Sequence, residues 1–146
     1  MVSTYSKMSL VKSNASISIL MKKILILLFS ILISLNSYGE WIKVTSQNDG
    51  TNFYLDFDSI RQGSEYIYWW DLTNYPKPDS GVTSIKVYHQ GDCDIFRMKH
   101  LNVIFYKKPM SKGEGDSYTP ETNEWIYLEP KTAASRILET VCNYLN

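Results

Sequence analysis

The chain is 146 residues long, room for one ordinary domain, and is formally neutral, with 15 Lys and Arg against 15 Asp and Glu. The neutrality is uneven, because Lys7, Lys12, Lys22 and Lys23 precede residue 39 while all 15 acids follow it, leaving 11 against 15 beyond that point, a net charge of −4. That mild acidity argues against the basic footprint of a nucleic-acid binder and against attraction to anionic lipid.

The N-terminal region reads as a targeting segment. Met21-Lys22-Lys23, an apolar run from Ile24 to Leu35, and Ser37-Tyr38-Gly39 give a positive start, a short apolar centre and small residues at −3 and −1 of a cut. That is the layout of a secretory signal peptide over residues 21–39. The run is shorter than the ~20 residues of a stable membrane-spanning helix. Residues 1–20 read either as an extension upstream of the true start or as a long n-region. Cleavage after Gly39 is expected to release a domain over residues 40–146. No cysteine stands at the cut to take a lipid, so that domain is expected to be soluble, without a stable membrane anchor. Its expected location is exported: periplasmic or secreted, or associated with the cell surface.

Two cysteines, Cys93 and Cys142, fall in the mature part. An even count in an exported domain reads as a disulfide, which on the chain-entropy view would stabilise by about 4 kcal/mol for a loop of this length. A redox-active pair would want Cys-x-x-Cys spacing, which the chain lacks.

Short strands come first. Trp41 to Thr45 alternates, Asn48-Asp49-Gly50 supplies a turn, and Asn52 to Asp56 resumes as a strand. Asp58 to Ser64 reads as a connection. Glu65 to Asn74 carries Tyr66, Ile67, Tyr68, Trp69, Trp70 and Leu72, apolar on both faces, as in a central strand. Pro76 to Gly81 breaks the chain. Val82 to Gln90 alternates again, Gly91-Asp92 turns, and Ile95 to Tyr106 forms a long strand. Lys107 to Thr122 is polar and Gly-rich, the longest predicted loop. Trp125 to Leu128 is a short last strand. After Pro130, Thr132 can cap a helix whose Ile137, Leu138, Val141, Cys142 and Leu145 make one apolar stripe. A bridge from Cys142 to Cys93 would fasten that helix to the sheet. The expected class is α+β, an antiparallel sheet of about five to six strands packed against one C-terminal helix.

At this point the residues resemble a known family. Trp41-x-x-Val44, Tyr54-Leu55-Asp56 with Ser59-Ile60, Trp70-Asp71-Leu72, Asp92-Cys93, a Gly-rich loop, Trp125 with a following Pro, and a late Cys142 occur in that order. This is similar to the surface-adhesin protein E family of small exported bacterial domains, across essentially the whole mature chain. The resemblance implies a small antiparallel sheet on a C-terminal helix, and a disulfide carried over onto Cys93 and Cys142. It further implies binding of host matrix and plasma proteins such as laminin, vitronectin and plasminogen. The founding adhesin is held to the outer membrane by a lipidated cysteine, from which this chain departs.

Little in the sequence points to catalysis. His89 and His100 lie on neighbouring predicted strands and could meet across them around a metal, but solvent-facing strand histidines are the expected reading. Asp56-x-Asp58 and Asp92-x-Asp94 are read as turn caps at strand ends rather than acid–base pairs. No Gly-x-Ser-x-Gly occurs, and Gly113-Glu114-Gly115-Asp116 lacks the Lys and hydroxyl of a phosphate loop. The chain is therefore expected not to be an enzyme and to need no cofactor and no metal. Of the clustered aromatics, Tyr68 and Trp70 are assigned to the core. Trp69 and Tyr75 are candidate partner-binding residues, because exposed large aromatics anchor protein partners. Lys107, Lys108 and Lys112 add a small basic patch for the same role. The expected partner is a protein of unstated identity, either a host matrix or plasma protein or an envelope component met in the periplasm. The open edges of a small sheet could also pair two copies into a homodimer.

Overall fold

The computed structural model describes residues 18–27, 39–122 and 124–145, in two separate units divided after Tyr38. In the first unit, residues 18–27 form a helix (α1) whose apolar side chains, Leu25 and Ile26 among them, are exposed. Among the described residues no helix is long and apolar enough to cross a membrane. The remainder of the expected signal peptide, from Leu28 through Tyr38, lies outside the described residues.

The second unit is a meander. Strands β1 (Trp41–Ser46), β2 (Asn52–Gln62), β3 (Ile67–Asp79), β4 (Val82–Asp92), β5 (Arg97–Tyr106) and β6 (Gly115–Tyr118) lie side by side in chain order, all antiparallel. A short β7 (Ile126–Tyr127) pairs with the other end of β5, making seven strands in all. Helix α2 (Ala133–Tyr144) closes the chain. Thr132 caps it, its hydroxyl accepting from the N–H of Ser135 at 3.1 Å. The fold is α+β.

Local chemistry explains the turns. Between β1 and β2, Asp49 accepts from the N–H of Thr51 at 2.8 Å and Gly50 takes a φ of 90°, which a glycine adopts without strain. Between β3 and β4, Ser80 and Gly81 both have positive φ, the geometry that suits the right-handed twist of a two-residue hairpin.

Several boundaries differ from the sequence reading. Asp58 to Gln62, read as part of a connection, continue β2, whose register with β3 shifts between Asp56 and Arg61; Gly91 and Asp92, read as a turn, end β4, the turn falling at residues 93–96. The Pro76–Gly81 break is not a break: β3 runs through Pro76 and Pro78 to Asp79, with pairing to β4 interrupted between Asn74 and Asp79. Proline lacks the N–H a ladder needs, so the strand continues while its register lapses. The Lys107–Thr122 segment is not one loop. It holds a 3-10 turn, η1 (Pro109–Ser111), and then β6. All four residues of β6 are exposed and join the edge of β5 through backbone pairing, which hydrophobic patterning does not report.

The main core cluster lies on one face, while Leu72, also fully buried, lies on the other. Leu55, Ile60, Ile67, Trp69 and Met98 of the sheet meet Ile137, Leu138 and Val141 of α2. The packing is close: a Cβ added to Gly91 would fall 2.6 Å from the Trp69 ring and 2.9 Å from Leu138. Leu145, expected on the apolar stripe, is instead the exposed C-cap of the helix. Cys142, near the helix end, is bonded to Cys93 in the β4–β5 turn, 49 residues away in sequence.

Candidate functional site

With α2 on the Trp69 face, strand alternation sends every second residue to the opposite face of the sheet, away from the helix. Register then lines those residues into rows. One row crosses from Trp41 through Asp56, Trp70 and Tyr88 to Asn102. The next crosses from Lys43 through Tyr54, Leu72 and Lys86 to Ile104. Residues directly opposite in such rows are the ones whose side chains interact.

The result is an aromatic ladder. Tyr68 and Tyr88 stack at 6.3 Å, and Tyr88 and Trp70 at 4.9 Å. The Lys86 ammonium sits 4.4 Å from the Trp70 ring centre and 5.7 Å from that of Trp41. Each of these residues is half-buried. Burial pushes the Lys86 ammonium below its ordinary range, and the charge of Asp56 partly restores it.

Both ends of this face are built up. At one end the chain after β5 folds back over it: Ser84 donates to the carbonyl of Lys108 at 2.7 Å, Asn74 accepts from the N–H of Met110 at 2.8 Å, and Ser84 accepts from the N–H of Ser111 at 3.0 Å. These bonds hold the backbone of the segment and leave the side chains of Lys107, Lys108 and Lys112 exposed. At the other end Trp125 packs on Tyr66 at 5.2 Å, with the Arg97 guanidinium 4.3 Å and the Lys99 ammonium 4.4 Å from its ring centre. Arg97 in turn pairs with Asp92 at 3.1 Å. Burial pushes the Asp92 carboxyl up, but the N–H of Ile95, Arg97 and the N–H of Asp94 outweigh it and hold it below the usual carboxylate range.

Several sequence assignments move. Trp69 is withdrawn as a contact residue: it has no exposed surface and lies at the centre of the core, because its strand position faces α2. Its neighbours Tyr68 and Trp70, assigned to the core, are instead on the helix-free face. Tyr75 is half-buried, its hydroxyl pushed up by burial and by the nearby Asp79. Trp41, Lys86, Tyr88 and Trp125 were given no contact role by the sequence reading. Pairing β3 with β4 through the Ser80-Gly81 turn places Trp70 opposite Tyr88, which was the available signal.

The histidines are not solvent-facing either. His89 is buried, stacked on Trp69 at 5.0 Å, with Nε2 2.8 Å from Asp71 Oδ2, though not aligned for a hydrogen bond. A bulge between Tyr88 and His89 sets His100 opposite it, the rings meeting edge to face at 4.9 Å. Burial and the neighbouring His89 lower the His100 pKa, with Asp71 opposing. Among the described residues no three His, Cys, Asp or Glu side chains come together to hold a metal. Asp92 does cap its turn, accepting from the N–H groups of Asp94 and Ile95, each at 3.1 Å. Asp56 does not: it lies within β2 between Trp41 and Trp70, with Oδ1 buried and unpartnered. A depression of about 460 Å³ between β1 and the start of α2 is lined by Thr45, Gln47, Lys131 and Arg136 among others, without a histidine or carboxylate.

The fold and this face define a small disulfide-linked domain in which one helix covers one side of an antiparallel meander and aromatic residues occupy the other. The sequence pattern of the surface-adhesin protein E family matches residues 41–143, and the chain belongs to that family. Membership makes it a surface-adhesin-like binding protein. The fold is similar to that of Haemophilus influenzae protein E in crystal form II, with 18% identity, a TM-score of 0.54, and coverage of 76% of this chain and 94% of that one. It is likewise similar to protein E from non-typeable Haemophilus influenzae, at 17% identity and a TM-score of 0.53, covering 75% and 79%. At such identities the likeness establishes the fold alone. No curated protein matches the chain.

Proposed function

We propose that residues 40–146 are an exported, non-enzymatic module that recognises a protein partner through the helix-free face of the sheet. The observation that carries this reading is the half-buried row of Trp41, Lys86, Trp70, Tyr88 and Tyr68. Trp, Tyr and Arg dominate binding hot spots because they bring large, stiff, amphipathic surfaces at little entropic cost. The exposed Lys107, Lys108 and Lys112 form a polar rim at one end of that row. Displayed on the cell surface, the module would take a host matrix or plasma protein as partner.

A second reading has one observation in its favour. Both cysteines are joined in the disulfide, so neither carries a lipid. A domain free in the periplasm would act as an accessory or inhibitor of an envelope component. Protease treatment of intact producing cells separates the two: digestion alongside an intact periplasmic control supports surface display, and full protection supports the periplasmic reading. Binding of laminin, vitronectin and plasminogen to the immobilised domain then tests the face. Replacing Trp70 and Tyr88 with Ala should weaken binding by about tenfold or more while the circular dichroism spectrum is kept. Unchanged affinity in a folded double variant would remove the face from the proposal.

A further inference from the structure

Among the described residues, Asp56 has no ion-pair partner. Its carboxylate projects on the helix-free face between Trp41 and Trp70, and its Oδ1 is buried with no hydrogen-bond donor. A buried carboxylate oxygen left unpaired is costly. Lys86 from β4 acts on it electrostatically but makes no ion pair with it, its ammonium lying over the Trp70 ring. Of the other charged groups close in sequence, Glu40, Lys43, Asp58 and Arg61 are exposed, Lys43 lying one row away on the same face, and none of them forms an ion pair with Asp56.

The chain reaches this carboxylate at one further place. A Cβ built on Gly39 would fall 2.4 Å from Asp56 Oδ2, 2.7 Å from its Cγ and 2.8 Å from its Oδ1. The backbone of residue 39 therefore lies directly against the carboxylate, and a side chain there would have to push the end of Asp56 aside. The bond that follows, Gly39–Glu40, is also the one that the Ser37-Tyr38-Gly39 pattern marks for removal of the leader.

We infer that Asp56 is the counter-ion of the mature N-terminus, pairing with the α-ammonium that cleavage creates on Glu40. This rests on the export reading above. In the step itself water adds across the Gly39–Glu40 amide under a signal peptidase: the hydroxyl goes to the Gly39 carbonyl, which departs as a carboxylate with the leader, and the Glu40 nitrogen takes up protons to become an ammonium. Removing Gly39 clears the space over the Asp56 carboxylate. It also replaces a neutral amide with a cation bearing three donors beside an oxygen that has none. The cleaved domain is thereby better satisfied than the uncleaved one, and the first strand is held by charge at the end where it would otherwise fray.

The test is the ionisation of that one amine. The mature domain is acylated with a trace reagent over a range of pH, and the rate at the Glu40 amine is read by mass spectrometry. The expected midpoint lies about one unit above the ordinary ~7.7–8.0 of an α-amino group. It should return to the ordinary range in Asp56→Asn and stay raised in Lys86→Gln, since the cation argued for is not the lysine. An ordinary midpoint in the wild-type domain beginning at Glu40 overturns the pairing alone. The intact mass of the exported protein reads the other premise separately: a first residue other than Glu40 overturns the processing reading and the inference with it. A chain released with Glu40 first from a cleavable fusion provides the material for the amine measurement in either case.

Discussion

Acid should loosen this domain through two rings. His89 and His100 face each other across β4 and β5 at 4.9 Å, with Asp71 as the carboxylate beside His89. A charge on His100 meets the cost of burial first, and were both rings charged they would repel at that separation by at most about 3 kcal/mol at an effective dielectric of about 20. His100 is only half-buried, so solvent screening brings the usable figure to about 1–2 kcal/mol. The sign follows from the direction of the shift. The folded-state pKa of His100 is lowered below 6.5, first by burial and then by His89. The folded domain thus binds fewer protons than the unfolded chain, so this stability is complete above pH ~6.5 and declines as pH falls below it. Urea unfolding at pH 7.5, 6.5, 5.5 and 5.0 measures the loss. Wild type should lose about 1–2 kcal/mol more over that range than His100→Gln, which leaves His89 with Asp71 and no second imidazole. Equal pH slopes in the two proteins would refute the argument.

Two further outcomes test the fold. Trp69→Ala removes a fully buried ring from the centre of the core and should cost about 3–5 kcal/mol, read as a lower denaturation midpoint at unchanged m-value; a loss below 1 kcal/mol would mean the ring is not packed as described. Replacing Cys93 and Cys142 together with Ser should cost about 4 kcal/mol, and the same loss should appear on reduction of the wild type, since the bridge closes a segment of 49 residues.

Periodicity carried most of the architecture. The stripe of Ile137, Leu138 and Val141, the cap at Thr132 and the alternation of Val82 to Gln90 each depend on local chemistry, and each is present in the structure. The helix-free face was less legible, for a reason visible in Tyr68, Trp69 and Trp70. Three adjacent aromatics show that a strand is covered on both sides, but not which side carries the helix. Only register and the position of α2 decide that Trp69 is interior and its neighbours are not. His89 was read as solvent-facing although its alternation with Val87 and its pairing with Trp69 put it on the helix face, while the position of His100 opposite it comes from a one-residue bulge with no marker in composition. Strand β6 escaped notice because backbone pairing at an edge asks nothing of side chains.

The bridge between Cys93 and Cys142 turns the second half of the domain into a closed covalent ring. That ring contains β5, η1, β6, β7 and nearly all of α2. A single cut in the exposed segment from Lys107 to Thr122 would therefore leave one molecule rather than two pieces, with both new ends still held by the bridge. The exposed run from Lys112 to Thr119 is thus a stretch whose cleavage releases nothing.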